Sequence, residues 1–485
     1  MNSLRKTIGL ILLILLLNGC EDKGFGKQDI TVVPCVLSTQ KMHIIGAIPD
    51  DSGSIAQRAF IHVAFSSYLE ESTVSTLQVS LYDVNDTTNI PITFIVARNY
   101  LFVKPLRSLI PDKHYKLRMS GLQDIFGNSL DQSYTLTYIC KSDFWEKVVA
   151  GDTNVMAESK AGDLYIWGSN APFPIDNKEG ELLFLSIDMP IPIPNSRAVK
   201  SFATGTSGMA IATQMGELVN VGRYAYSDLD TFDYKGVGIG HDHSVVLKDN
   251  GTIYSWGSNS VGQLGSLNLL DQDEPVQEIT ESTDWNATST REDFTLALKT
   301  DGSLWGWGDN SDFQLSNRLA IAAIPKELNT TVTSVSKWVQ VSAGGHHSVA
   351  LGADSSIWSW GRNTSGELGD ETNNSSMIGT REKSHSSWLS ISAGVDHTTA
   401  IKNDGTLWAW GNNTSGQLGN NSINNSDIPI QEKSGSTLWA NVSAGENCTF
   451  GIKSDGTLWA WGSNFGMRLG IGDSIDGTQV PVEVK

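Results

Sequence analysis

Histidine pairs are the residues of this sequence whose type and spacing come closest to a metal site. His241 and His243 form a His-x-His pair, which can bring two imidazole nitrogens to one zinc or copper ion. In six similar units of the chain the position of His243 is held by Asn154, Gly208, Phe294, His347, His397 and Cys448. A position that accepts Phe, Cys and His is a packing position, and no third ligand is near the pair. We therefore predict structural histidines, no bound metal and a buried, unreactive Cys448.

Nucleophiles and acid–base pairs give no stronger signal. No serine stands in a Gly-x-Ser-x-Gly elbow with acid and histidine partners, and no glycine-rich phosphate loop is present. Carboxylates recur just before glycine turns, at Asp249, Asp301, Asp404 and Asp455, which assigns them to hairpins. The Asn-rich stretches at 373–375 and 420–425 offer oxygens to calcium or sugars, but a solvated loop is the simpler interpretation. We predict no catalytic residue and no cofactor.

The elements that position these residues belong to a repeat. A segment that ends in Trp-Gly recurs in the C-terminal two-thirds of the chain, with spacings of about 50 residues over the last five copies. Its tryptophans are Trp167, Trp256, Trp307, Trp360, Trp410 and Trp461. Seven units can be counted, of which the second is degenerate and holds Val221 at the tryptophan position. A period of this length predicts a propeller or a similar array.

One unit shows why the repeats must pack side by side. Asp404-Gly405 suits a hairpin turn, because this pair tolerates the positive φ that right-twisted strands require. Trp408 and Trp410 then share one face of the following strand. Two indoles are too much apolar area to leave in water, so a neighbouring sheet should cover both. The fold class predicted is all-β, with a seven-bladed β-propeller over 142–485.

The same unit resembles a known family, the regulator of chromosome condensation repeat. The motif reads His243-Ser244, then Trp256-Gly257-Ser258-Asn259, then Gly262-Gln263-Leu264-Gly265, and it returns at 366–369 and 416–419. The resemblance covers about 340 residues and implies four-stranded blades. The repeat is also similar to secreted propellers of the beta-lactamase inhibitor protein II kind. The C-terminal stretch 480–484 is expected to be the outer strand of the last blade, so that no strand is exchanged.

Residues 35–141 have a different sequence pattern, with short alternating strands and turn signals but no repeat. They resemble the bacterial Ig-like domain of S-layer and surface proteins. The resemblance rests on 61–65, on 101–106, on 109–117 and on the turn from Gly121 to Asn128. It implies an N-terminal Ig-like β-sandwich that serves as a spacer.

The first residues predict export and lipidation. Arg5 and Lys6 precede an apolar run too short to span a bilayer, which ends at Gly19-Cys20. This arrangement resembles the bacterial lipobox, with a signal peptide at 1–19, acylation of Cys20 and a tether at 20–34; the alternative is an ordinary secretory signal. Glu21 is not the aspartate that favours inner-membrane retention in such families, so an outer-membrane or cell-surface location is favoured. In this oxidising setting Cys35 and Cys140 are the favoured disulfide pair.

The balance of acidic and basic residues and the aromatic residues of the irregular stretches restrict the partners that the chain can have. The chain has 34 Lys and Arg against 53 Asp and Glu, which disfavours nucleic acid as a partner. Aromatic residues on the irregular stretches 171–194, 223–234 and 310–336 are candidate ligand contacts, although they can equally pack over blade ends. They are Phe173, Phe184, Tyr224, Tyr226, Phe232 and Phe313. We predict a lipid-anchored, non-catalytic envelope protein that binds a protein or glycan. Alternatives are an inhibitor of a secreted enzyme, a propeller enzyme and a nucleotide exchange factor.

Overall fold

The chain is all-β in a computed structural model. The structure describes residues 41–48, 53–55, 61–97, 99–107, 109–110, 112–140, 144–160, 162–174, 182–193, 199–206, 208–222, 227–228, 233–328, 335–472 and 476–484. These residues form eight four-stranded sheets, one five-stranded sheet and two 3₁₀ turns, at Glu71–Thr73 and Phe465–Met467. Within the described ranges no helix has the length and apolar character needed to cross a membrane.

Two sheets make up the N-terminal region. The first has the order β1-β3-β7-β6, with β1 Ile44–Ile48, β3 Ile61–Phe65, β6 Ile92–Ala97 and β7 Tyr100–Pro105. The second has the order β2-β9-β8-β4-β5, with β2 Gly53–Ile55, β4 Val79–Asp83, β5 Asn89–Ile90, β8 His114–Met119 and β9 Tyr134–Cys140. Buried side chains of both sheets, such as Val63 and Leu117, belong to one hydrophobic cluster. The cluster continues into the next sheet through Phe144 and Tyr165, whose ring centroids are 5.5 Å apart.

Seven four-stranded antiparallel sheets follow, each built from consecutive strands and here called sheets 1 to 7. Sheet 1 contains β10 Trp145–Ala150, β11 Asn154–Ser159, β12 Leu164–Pro174 and β13 Leu182–Pro192. Sheet 2 contains β14 Val199–Thr204, β15 Gly208–Thr213, β16 Leu218–Gly222 and β17 Ser227–Asp228. Sheet 3 contains β18 Tyr234–Ile239, β19 His243–Lys248, β20 Ile253–Gly257 and β21 Gln272–Gln277.

The remaining four sheets repeat the same order. Sheet 4 contains β22 Trp285–Arg291, β23 Phe294–Lys299, β24 Leu304–Asp309 and β25 Ile321–Glu327. Sheet 5 contains β26 Trp338–Ala343, β27 His347–Gly352, β28 Ile357–Gly361 and β29 Ser376–Arg381. Sheet 6 contains β30 Trp388–Ala393, β31 His397–Lys402, β32 Leu407–Gly411 and β33 Ser426–Gln431. Sheet 7 contains β34 Trp439–Ala444, β35 Cys448–Lys453, β36 Leu458–Ser463 and β37 Gly477–Val484.

The sheets are arranged in a closed ring. First strands of successive sheets contact one another, and β10 of sheet 1 contacts β34 and β35 of sheet 7. At this closure the amide of Ala150 donates to Ser443 Oγ at 2.9 Å. The C-terminal strand β37 pairs with β36, so the ring closes side by side without strand exchange, as expected.

A glycine turn shapes six of the seven units as the sequence predicted, and in sheet 5 Ser355 takes the same place with a φ of 63°. Gly405 has a φ of 78°, and Asp404 Oδ1 accepts the amide of Thr406 at 3.0 Å. A Cβ on Gly405 would lie 2.1 Å from the carbonyl oxygen of Thr437 in the connection to the next sheet. The dipeptide therefore serves both the hairpin and the packing between sheets.

The Gly-Gln-Leu-Gly turn joins neighbouring sheets through one carbonyl group. The carbonyl of Glu367 in sheet 5 accepts the indole of Trp410 at 2.9 Å and the hydroxyl of Thr398 at 2.9 Å, both from sheet 6. The carbonyl of Gln417 does the same for Trp461 and Thr449 of sheet 7. Trp167 donates to the carbonyl of Arg468 at 2.8 Å, so the same bond also links sheet 7 to sheet 1.

The two tryptophans of one strand differ in burial. Trp410 is fully buried, whereas Trp408 is half-buried. Trp408 packs at the edge of the hydrophobic cluster that sheets 5 and 6 share, and Lys402 Nζ of its own sheet lies 3.5 Å from the ring centroid. The physical reason is that only Trp410 reaches a carbonyl of the preceding sheet, while the Trp408 indole donates to Thr406 Oγ1 of its own hairpin.

One predicted loop is in fact a hairpin. Phe173 lies on β12 and Phe184 on β13, where Phe173 pairs with Leu183 and Pro172 with Phe184. The stretch 171–194 was expected to be irregular, but its apolar residues continue the antiparallel ladder of sheet 1 beyond two register shifts. Val221 pairs with Met209 as Trp256 pairs with Ser244, so it occupies the degenerate tryptophan position of sheet 2.

Candidate functional site

The connections of the seven sheets divide between two faces of the ring. Face A, as we define it, carries the turns between first and second strands and those between third and fourth strands. Backbone bonds tie these turns together, for example from the amide of Asn412 to the carbonyl of Asp396 at 2.8 Å. Face B carries the Asp-Gly hairpins. The chain enters sheet 1 at face B, where the amide of Trp145 donates to Gly456 of the sheet 7 hairpin at 3.0 Å.

Arg291 marks the centre of face A. It ends the first strand of sheet 4, yet its guanidinium lies 2.5 Å from Asp152 Oδ1 of sheet 1 and 3.1 Å from the carbonyl of Ala444 in sheet 7. One side chain thus reaches sheets on the opposite side of the ring, so these turns surround the ring axis. We call the set Asp152, Asp242, Arg291, Glu292, Asp293 and Asp396 the central mouth.

The position of Arg291 is glycine in each of the other six units. The equivalent residues are Gly151, Gly205, Gly240, Gly344, Gly394 and Gly445. At Gly344 a Cβ would lie 2.4 Å from Cε1 of His347, whereas the corresponding residue in sheet 4 is Phe294. Sheet 4 therefore has phenylalanine where sheet 5 has histidine. It is also the sheet whose residue 291 has a side chain, and that side chain extends across the ring axis.

Asp152 is held ionised by this contact. Its burial would raise the pKa, but the charge and hydrogen bond of Arg291 and the hydroxyl of Thr206 outweigh burial, and the pKa of Asp152 is lowered. The pair is nearly enclosed, with side-chain exposures of 12% and 11%. The pair is therefore a buried contact across the ring axis and not a surface ion pair.

Three carboxylates beside Arg291 form what we call the acidic notch, namely Glu292, Asp293 and Asp309. No basic side chain of the described ranges lies within ion-pair distance of them. Burial raises the pKa of Glu292. Burial also raises the pKa of Asp293; the charge of His241 opposes that increase, and repulsion from Asp309 and Asp242 adds to it. Carboxylates that are partly desolvated and have no ion-pair partner favour the binding of a positively charged group.

Other acids of face A have basic partners. Asp396 contacts the guanidinium of Arg362, and Glu446 lies 2.8 Å from Arg468 Nη1. His346 Nδ1 lies 3.1 Å from Asp312 Oδ2. Asp242 of sheet 3 lies 3.1 Å from His241 Nδ1, so among the described residues the mouth carboxylates without an ion-pair partner are those of sheet 4.

The histidine column lies inside the sheet interfaces and not at the mouth. His347 Nε2 is 2.9 Å from Thr398 Oγ1, and His397 Nε2 is 2.9 Å from Thr449 Oγ1. Because each threonine hydroxyl donates to a carbonyl of the preceding turn, the imidazole must donate from Nε2. Burial lowers the pKa of both histidines to about 3, so they stay neutral. In the described ranges no three metal-ligating side chains meet.

Cys448 shares this buried setting in sheet 7. Burial raises the pKa of its thiol to about 11, which disfavours the reactive thiolate.

The predicted ligand contacts have different outcomes. Phe313 lies on face A, is 40% exposed and has a φ of 66° at a position where other turns have Gly262, Gly366 and Gly416. Phe173 and Phe184 lie on the sheet 1 hairpin. Cys20, Cys35, Tyr224, Tyr226 and Phe232 lie outside the described residues. Cys140 is buried at the end of β9, and its disulfide with Cys35 stays a prediction.

Comparison with family models gives a match to the RCC1-like domain over residues 227–485. The chain belongs to the RCC1-like domain family. The resemblance drawn from the Gly-Gln-Leu-Gly and Trp-Gly motifs is thereby confirmed. The face A turns of sheets 3 to 7 lie within the residues that match this family.

Relatives and solved structures agree with this membership. The ultraviolet-B receptor UVR8 of Arabidopsis thaliana is 29% identical over 246 residues, which are 46% of this chain and 54% of UVR8. The probable E3 ubiquitin-protein ligase HERC6 of Homo sapiens is 36% identical over 27% of this chain and 13% of its own length. The chain thus spans about half of UVR8 and a small part of HERC6. Human WBSCR16 superposes with a TM-score of 0.56 at 20% identity, covering 67% of this chain and 91% of that one. Prp20p of Saccharomyces cerevisiae gives 0.54 at 16%, covering 80% and 93%, so both share the fold.

Sequence reasoning missed the mouth residues Arg291, Glu292 and Asp293. One signal was available, because aligning the seven units places Arg291 alone among glycines. That alignment cannot show that the side chain crosses the ring, since the distance depends on the curvature of the whole array.

Proposed function

We propose that the protein is a lipid-anchored, non-catalytic binding protein of the bacterial cell envelope, which recognises a partner protein through face A. In this proposal residues 142–485 form a complete seven-bladed propeller and residues 35–141 an Ig-like spacer. The observation that carries it is the position of the uncompensated acidic notch on the face opposite the chain entry into sheet 1. A spacer and anchor attached at face B would leave face A free for a partner.

The architecture supports binding better than catalysis. The polar groups of the sheet interfaces are hydrogen-bonded between neighbouring units, as in the pairs His347–Thr398 and His397–Thr449. The mouth offers charge in a ring of turns and no nucleophile beside a base among the described residues. Family relatives include an ultraviolet-B receptor and ubiquitin ligases, so the shared fold serves several functions.

Lipid anchoring is tested by Cys20→Ser. We expect the wild-type chain to partition into the detergent phase and the variant into the aqueous phase, because acyl chains supply about 0.8 kcal/mol per buried CH₂. Incorporation of an alkyne-labelled fatty acid measures acylation directly. Cys140→Ser is the matched control and should retain the label. Equal labelling of the Cys20 variant would contradict the anchor.

Recognition through face A is tested with Glu292→Gln and Asp293→Asn together. We expect the full chain, used as bait on envelope extract of the producing cells, to enrich a partner that the double variant enriches about tenfold less. Because their pKa values are raised, these two groups lose charge before ordinary carboxylates as the pH falls, so capture should weaken at a higher pH than binding through ordinary carboxylates would.

The control for the mouth variants is Glu371→Gln, an exposed carboxylate paired with Lys383 at the outer edge of sheet 5. Two results would count against recognition through the central mouth. One is capture that depends on Glu371 as strongly as on Glu292 and Asp293, and the other is capture that none of the three substitutions changes.

A further inference from the structure

An exposed apolar patch lies on the outer part of face A between sheets 3 and 4. We call it the leucine ledge, and it consists of Leu267, Leu269, Leu270, Leu319, Ile321 and Ile324. Leu267 is 73% exposed, Leu270 67% and Leu319 61%. Contiguous apolar surface of this kind marks interaction sites more often than single exposed residues do.

Residues of two sheets are brought together in the ledge. The turn that precedes Leu267 lies directly on β25 of sheet 4. A Cβ on Gly262 would be 2.4 Å from Cα of Ala323, and a Cβ on Gly265 would be 3.3 Å from Cδ of Pro325. Ile324 stands between these two contact points and is itself exposed. The turn that leads into the sheet 3 leucines therefore packs on the strand that carries Ile321 and Ile324.

The fold of the loop does not require leucine. In sheet 3 the amide of Asn259 donates to Asp271 Oδ1 at 2.9 Å; in sheet 6 the amide of Asn413 donates to Asn425 Oδ1 at 2.9 Å. In sheet 5 the amide of Asn363 donates to Ser375 Oγ at 3.2 Å, so the three loops share one frame. The positions of Leu267, Leu269 and Leu270 are held in the sheet 5 loop by Glu371, Asn373 and Asn374.

The ledge continues inward to the acidic notch. Gln263, in the turn that carries Gly262 and Gly265, donates from Nε2 to Asp293 Oδ1 at 3.2 Å. The amide of Asp309 donates to the carbonyl of Asp293 at 2.9 Å. One stripe across sheets 3 and 4 is thus negative at its inner end and apolar at its outer end.

We propose that this stripe docks a segment of a partner protein in which a lysine- or arginine-rich part is followed by apolar side chains. The basic part would lie in the notch and the apolar part on the ledge. This inference rests on the proposed function and specifies the chemistry of its partner. Charge complementarity selects this occupant, because a second copy of the chain would set notch against notch and an anionic membrane would be repelled.

The test uses the full chain and a random-peptide phage library as the probe. We expect selected peptides to combine basic and apolar residues, and a synthetic copy to bind about tenfold more weakly to the variant Leu267→Glu, Leu269→Asn, Leu270→Asn. These substitutions install the sheet 5 residues, so the loop frame is retained; near-ultraviolet circular dichroism checks the fold. Asp309→Asn, which installs the sheet 6 residue of that position (Asn412), should weaken binding and its salt dependence.

The control is Ile423→Asn, an exposed apolar residue of the equivalent loop in sheet 6, which should bind the peptide as the wild type does. Selection of acidic peptides, or equal binding to the triple variant, would overturn the proposal. Dimerisation in sedimentation velocity that the triple variant abolishes, or binding to phosphatidylglycerol vesicles through the ledge, would also overturn it. Envelope capture that survives the triple variant and fails only in the mouth variants would leave face A recognition intact and remove the ledge.

Discussion

Replacing Trp410 with alanine is expected to lower the free energy of unfolding by about 4 kcal/mol, within the range for a fully buried tryptophan. Its indole is fully buried and donates to the carbonyl of Glu367 in the preceding sheet. The substitution leaves a cavity between sheets 5 and 6 and removes one of the two donors to that carbonyl. Denaturant unfolding followed by circular dichroism measures the loss.

The matched control is Trp408→Ala, on the same strand and face. Trp408 is half-buried, is covered by Lys402 and bonds only within its own hairpin. We expect a loss of about 1–2 kcal/mol, since less buried area is lost and no hydrogen bond between sheets is broken. Similar losses for both variants would show that burial against the neighbouring sheet is not what stabilises the ring.

Arg291→Ala is expected to destabilise the chain at neutral pH by about 3–5 kcal/mol, because it leaves Asp152 buried without its cation. The double variant Arg291→Ala, Asp152→Asn should recover part of the loss, since the neutral amide needs no counter-charge. The difference between single and double variants in unfolding experiments gives the coupling energy of the pair.

The loss caused by Arg291→Ala should depend on pH in a defined direction. The folded-state pKa of Asp152 lies below its ordinary value of 3.8, so its stabilising contribution is present above that value and is lost as the pH falls through the folded pKa. In the variant, the Thr206 hydroxyl and the charge of Arg468 still act on Asp152, but without Arg291 they oppose burial less, so the pKa of Asp152 is higher than in the wild type. The gap between wild type and variant should therefore be largest at neutral pH and narrow below about pH 4. A gap that is constant with pH would mean that packing of Arg291, not its charge, matters.

The repeat and its hairpins were predictable from the sequence because each depends on local chemistry. Asp404-Gly405 specifies a turn whatever surrounds it, since few residues tolerate the positive φ. Trp410 and its equivalents require cover, and their period indicates that the cover is another copy of the same unit. These two features were sufficient to predict an all-β array, while the family was inferred from the resemblance of the Trp-Gly and Gly-Gln-Leu-Gly motifs.

The local sequence pattern did not predict the structure correctly where neighbouring elements pack against each other. Trp408 and Trp410 are equivalent by alternation, and only the packed ring shows that one reaches a foreign carbonyl and the other does not. The stretch 171–194 lacks a clear alternation, so its pairing as a hairpin followed from the partner strand and not from either segment alone.

The sequence by itself determined the units, because turn chemistry and the burial of indoles act over a few residues or recur with the repeat. The tertiary structure alone decided the site. Arg291 meets Asp152 across 139 positions of sequence, and the ledge joins leucines of one sheet to an isoleucine of the next. The physical reason is that charge and apolar surface act through distance in space, and ring closure sets those distances only when all seven sheets are in place.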